Sequence, residues 1–80
     1  MKQIEFKMER PGLLNVGDKV VVEESQLVTL QGVMCYYTII PALAMSNNIA
    51  FRERLTKFEG IVVSIRPYGS ASFVMVEFEE

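Results

Sequence analysis

The chain contains no histidine, no tryptophan and one cysteine among its 80 residues. The missing histidine removes Ser-His-Asp and Cys-His catalytic pairs. It also leaves Cys35 without its usual activating partner, so a nucleophilic thiol is not expected. A single cysteine excludes an internal disulfide. With apolar neighbours, Cys35 reads as a small buried hydrophobe. Zinc sites built on His and Cys clusters are out of reach. The chain is therefore read as non-enzymatic, with no catalytic residue, metal or cofactor.

The second lack is of charge. Residues 25 to 51 include no Asp, Glu, Lys, Arg or His, so all 8 basic and 10 acidic residues lie outside that run. Such a run can cross a membrane, fill a core or make a contact surface. A membrane helix needs about 20 predominantly apolar residues. Within the 19-residue window from Leu27 to Met45, Gln31-Gly32 and Pro41 interrupt the apolar pattern. Tyr36 and Tyr37 sit mid-window, whereas membrane helices carry tyrosine near the interfaces. The N-terminal stretch MKQIEFKMER alternates charge and has no continuous apolar region, so it does not read as a signal peptide. A cytoplasmic chain with no membrane segment is expected, its uncharged run serving as core plus contact surface.

What is present fits one small β domain over residues 1–80. Half of the residues are hydrophobic, which is high for a globular chain and implies apolar surface buried against something else. The formal charge is −2. That balance disfavours nucleic acid, since phosphate neutralisation normally draws on a basic stripe.

Ile4, Phe6 and Met8 alternate with polar residues and mark a half-buried strand whose even positions face inward. Pro11-Gly12 ends it. Gly17-Asp18 turns into a Val-rich strand, Lys19 to Glu23. Residues 26 to 40 read as extended, with a turn or bulge at Gln31-Gly32 and an end at Pro41. PALAMSNN is compatible with a short helical turn, and Arg52 to Phe58 has no clear pattern. Ile61, Val63 and Ile65 alternate with Val62, Ser64 and Arg66, and Val74, Val76 and Phe78 with Met75, Glu77 and Glu79. With PYGSAS between them, they form a hairpin with a loop of about six residues. The fold class is all-β: a small SH3-like barrel or rolled antiparallel sheet of five to six strands, with at most a short helical turn. Closure removes the unpaired edges that strands this apolar would expose.

Candidate contact residues follow from these placements. Adjacent strand residues point to opposite faces, so at most one of Tyr36 and Tyr37 packs inside and the other lies outside, open to a partner, or under a loop. Ile49 and Phe51 close the uncharged run. Arg52 and Arg54 share a face if extended, and with Lys57 offer charge to a phosphate or acidic peptide, or pair with Glu53, Glu59 or the acidic tail. Tyr68 lies in the hairpin loop. Met8, Met34, Met45 and Met75 read as core fillers, some of them on an adaptable contact surface. Glu77, Glu79 and Glu80 read as a solvated chain end. The expected partner is a second copy or another protein.

Gly17, Asp18, Val20, Gly60, Val62 and Ile65 resemble the Gly-Asp and Gly-x-Val-x-x-Ile signatures of SH3-like barrels of the KOW and Tudor-like kind. The resemblance implies a tight turn before a strand, and a glycine where two backbones approach closely. The segment between Glu24 and Glu59 is longer than in a KOW module. Gly17, Asp18, Pro41, Ser46 and Asn47 are also similar to the PemK/MazF-like toxin ribonucleases. Residue 40 is Ile where that family carries Arg, and residues 64 to 67 are Ser-Ile-Arg-Pro instead of its Thr-Ser ending. The lost cation removes a group that would hold phosphate charge.

Overall fold

The computed structural model describes residues 1–10, 12–40 and 44–80. Seven strands form one antiparallel sheet: β1 (Lys2–Met8), β2 (Lys19–Thr29), β3 (Gly32–Ile40), β4 (Ala44–Ser46), β5 (Ile49–Ala50), β6 (Glu59–Tyr68) and β7 (Ala71–Phe78). The order β2-β6-β7-β1-β4-β3 closes through a β2–β3 pairing, and β5 hangs on β3 outside the ring. The result is a closed six-stranded barrel plus one extra strand, compatible with an SH3-like barrel. One 3-10 turn, Phe51–Glu53, is its only helical element among the described residues. No helix among them is long and apolar enough to cross a membrane.

Period-two alternation accounts for the core. Ile4, Phe6 and Met8 of β1 point inward with Val20 and Val22 of β2, Cys35, Tyr37 and Ile39 of β3, and Val74, Val76 and Phe78 of β7. Leu55, from the segment after the 3-10 turn, joins the same cluster. The Gly-Asp turn is stitched onto β6. Gly17 has φ 96° and donates its N–H to the Val62 carbonyl at 2.7 Å, while Val62 donates back to Asp18 at 2.9 Å. The Asp18 carboxylate accepts the Asn15 N–H at 2.9 Å and fixes the turn itself.

Three expectations are corrected. The β6–β7 loop is not six residues long: Tyr68 still pairs with Ala71, and Gly69, at φ 60°, makes a two-residue turn with Ser70. Ile61, Val63 and Ile65 do not share a face. A register shift between Val62 and Ser64 leaves Ile61 and Val63 outside and returns Ile65 to the core, as an inserted bulge residue must. Finally, residues 44 to 46 of the proposed helical turn are strand β4, and the helical turn lies further on at Phe51–Glu53. Residues 41 to 43, including the break at Pro41, lie outside the described residues, as does Pro11.

Candidate interaction surface

β2 and β3 form the longest hairpin in the chain, paired from Val21↔Ile40 to Thr29↔Gly32. On its β2 side only the base of the hairpin belongs to the barrel wall: β2 meets β6 at Lys19 to Val21 and no further. Beyond that the hairpin runs on as an arm. β5 flanks its β3 side at Met34 and Cys35. At the tip, the Thr29 hydroxyl donates to the Gly32 carbonyl and accepts the Gln31 N–H, and so shapes the turn. The arm carries no charge from Ser25 onward. Its apolar side chains stand in water: Leu27 is 41% exposed, Val28 89% and Leu30 108%. Lower on the outer face, the cross-strand partners Val21 and Ile40 are also exposed.

The arm is anchored by a buried polar network. Tyr37 is 0% exposed. Its hydroxyl donates to Glu24 at 2.9 Å and accepts the Leu55 N–H at 2.7 Å. Arg54 approaches the same Glu24 at 3.6 Å and lies over the Phe51 ring at 4.7 Å. The network ties β2, β3 and the segment after the 3-10 turn to one another. Burial, reinforced by the neighbouring Glu24 carboxylate, pushes the Tyr37 phenol up to about 12. Burial and Glu24 also raise the Cys35 thiol, so Cys35 is held protonated and unreactive at neutral pH.

The two adjacent tyrosines are thus sorted. Tyr37 is wholly internal and offers nothing to a partner, which corrects its assignment as a contact residue. Tyr36 is half-buried on the outer face, opposite Ser25. Ile49 packs against the core. Phe51 is exposed beneath Arg54. Arg52 and Arg54 do not share an extended face, because residues 51 to 53 coil into the turn and Arg54 donates its N–H to Phe51. Tyr68 lies on a separate hairpin, 63% exposed, with its ring 5.4 Å from Phe73. Arg66 covers Phe73 at 4.9 Å and reaches Glu5 at 3.4 Å.

Two residues escaped the sequence reading. Glu24 had a signal: it follows Val20 and Val22 on the inward phase of β2. Glu80 had none. Its side chain is largely covered, and one of its carboxylate oxygens accepts the Thr56 N–H, the Thr56 hydroxyl and the Lys57 N–H at 2.8, 3.0 and 3.2 Å. The other lies 3.2 Å from the Lys2 ammonium. Burial works to raise this carboxyl's pKa, but the three donors and Lys2 outweigh it and hold it at about 2, below its ordinary 4.5. Its stabilising contribution is therefore complete above about pH 4.5 and is lost as pH falls through about 2. Glu80→Gln is expected to cost about 1 kcal/mol at neutral pH, after screening at this partly wet site. In urea titrations the gap from wild type should close on acidification through that window; a pH-independent gap would refute the assignment.

An open cleft of about 520 Å³ lies near this clamp, lined by Lys19, Lys57, Phe58, Ile61 and Glu77 among others. Its Lys19 is already paired with Glu59 at 3.2 Å. The described residues include no group of three His, Cys, Asp or Glu side chains placed to hold a metal ion. No family model, curated protein or solved structure matches the chain.

Proposed function

We propose that the chain is a small β-barrel interaction module that binds a protein partner through the uncharged β2–β3 arm. The observation that carries this reading is the exposure of Leu27, Val28 and Leu30 on a hairpin whose outer part, from Ser25 onward, holds no charge. Apolar side chains exposed together on one uncharged element mark contact sites on small domains. The Tyr37–Glu24–Arg54 network supports the same reading, because a rigid arm loses less entropy on binding. Met34, half-buried beside Leu27, adds an adaptable side chain to the surface.

A second reading takes the barrel as a nucleic-acid binder. Exposed Tyr68 beside Phe73, with Arg66 on the same ring, is a platform on which an unpaired base can stack. Against it, five of the eight cations, Lys2, Lys7, Lys19, Arg54 and Arg66, each pair with a carboxylate, which reduces the charge free for phosphate. The ribonuclease resemblance has still less support. The Ser46 hydroxyl is engaged, accepting the Tyr37 N–H and donating to the Asn47 carbonyl.

Affinity capture separates these readings. Wild type is expected to retain a partner that the Val28→Asp/Leu30→Asp double variant loses at least tenfold and Tyr68→Ala keeps. Salt-dependent binding of single-stranded RNA that is lost in Tyr68→Ala, with the arm variant unaffected, would reverse the assignment.

A further inference from the structure

The arm has an open edge as well as an open face. Val22 donates its N–H to the Phe58 carbonyl at 2.9 Å, so at Val22 the backbone groups of β2 point away from β3. Backbone direction alternates along an antiparallel strand. The N–H and C=O groups of Glu24, Gln26 and Val28 therefore point to the same side. There β6 has already ended its pairing, and these backbone groups have no partner among the described residues. Exposed edges are normally blunted by lysine, proline or a bulge. The stretch Ser25-Gln26-Leu27-Val28-Thr29 has none of these.

We infer that this edge pairs with the same edge of a second copy, antiparallel about a two-fold axis at Leu27. The inference rests on the reading of the arm as a contact surface and names its partner. Two-fold antiparallel pairing always sets even residues against even ones, so every outward backbone group meets an outward group. With the axis at Leu27, Gln26 pairs with Val28 of the second copy and Val28 with its Gln26, which gives about four backbone hydrogen bonds. The two Leu27 side chains meet directly, each beside its own Met34, in one apolar row across both hairpins.

Charge selects this occupant. Glu24 falls opposite Leu30 of the second copy, and Glu23 lies beyond the paired stretch, so no like charges are opposed. An axis at Gln26 would instead set Glu24 against Val28. A foreign strand that set charges opposite residues 25 to 30 would lose solvation against side chains that hold no counter-charge.

The test is sedimentation equilibrium of the full chain from micromolar to millimolar concentration, on wild type, Gln26→Pro and Leu27→Lys. Proline at 26 deletes an outward N–H and leaves the β2–β3 ladder whole. Lysine at 27 sets two charges together at the axis. Wild type should rise from 9.1 kDa towards twice that mass, and each variant should weaken self-association at least tenfold while keeping the wild-type circular dichroism. If Gln26→Pro does not fold, Leu27→Lys decides alone. A wild type that stays monomeric at millimolar concentration overturns the self-pairing, and the capture comparison then decides whether the arm serves another partner. A dimer undiminished by both variants also overturns it and moves the self-interface elsewhere on the barrel.

Discussion

Gly60→Ala should cost about 3 kcal/mol and lower the melting temperature by roughly 12 to 24 °C for a domain of this size. Gly60 is buried on β6 at Val20↔Gly60↔Phe78, where three strands cross at one level of the barrel. A Cβ there would lie 2.6 Å from Val76 Cγ1, 2.8 Å from the Glu77 carbonyl oxygen and 2.9 Å from Phe78 Cε1. The carbonyl cannot turn away without breaking the β6–β7 ladder. The two side chains are both fully buried, so neither has room to retreat. An 80-residue domain has about 4 to 12 kcal/mol of stability in total, and this loss is a large share of it. Gly69→Ala is the comparison: nothing lies within 4 Å of its added Cβ, and its cost arises only from the positive φ, about 1 kcal/mol. Urea denaturation of both variants checks the pair. A Gly60→Ala loss no larger than that of Gly69→Ala would mean that β6 and β7 are not this close.

Tyr37→Phe is expected to cost about 2 to 3 kcal/mol, although it removes one oxygen from a residue that keeps its ring. The hydroxyl serves both Glu24 and the Leu55 N–H. Without it, a buried amide loses its acceptor and a largely covered carboxylate keeps only Arg54 and the Gln26 side-chain amide. Pairing Tyr37→Phe with Glu24→Gln in a double-mutant cycle should return a coupling of about 1 to 2 kcal/mol. The wild-type contribution has a pH signature. With the phenol raised to about 12, it is complete below pH 10 and declines as pH climbs through about 12. A loss under about 0.5 kcal/mol, the range of ordinary surface changes, would remove Tyr37 as the anchor of the arm. Hydrogen exchange adds a local readout: in Tyr37→Phe the Leu55 amide should lose protection more than the amides of β7.

Legibility from sequence varied along the chain for physical reasons. β1, β7 and the base of β2 were readable because each has one buried and one wet face, so hydrophobic alternation reports the pleat directly. The Val62 to Ser64 bulge broke that code on β6. An extra residue flips the phase, and its own side chain, Val63, is as apolar as Val62 before it. The tight Gly69-Ser70 turn was hidden by Pro67 before it and by the small Ala71 and Ser72 after it, which read as loop but pair as strand. The segment from Ala44 to Phe58 was opaque because its strands are two and three residues long, too short to display a period.

The contact residues divided in the same way. Adjacency alone placed one tyrosine inside and one outside, and only the barrel decided that Tyr37 is the internal one, since its hydroxyl there finds Glu24 and Leu55. Arg52 and Arg54 were grouped by spacing, yet spacing holds only for an extended backbone and theirs coils.

Local chemistry, then, determined the all-β class, the inward face of most strands, the two glycines of the Gly-Asp turn and the β6 crossing, and the uncharged character of residues 25 to 51. These follow from side-chain polarity and backbone freedom, which act over a few residues. Tertiary structure decided the order of strands around the ring, the clamp on Glu80, and the division of the uncharged run between core and arm. Each depends on contacts between segments far apart in the chain. The division in particular depends on where β6 stops pairing with β2, and no residue of the arm carries that information.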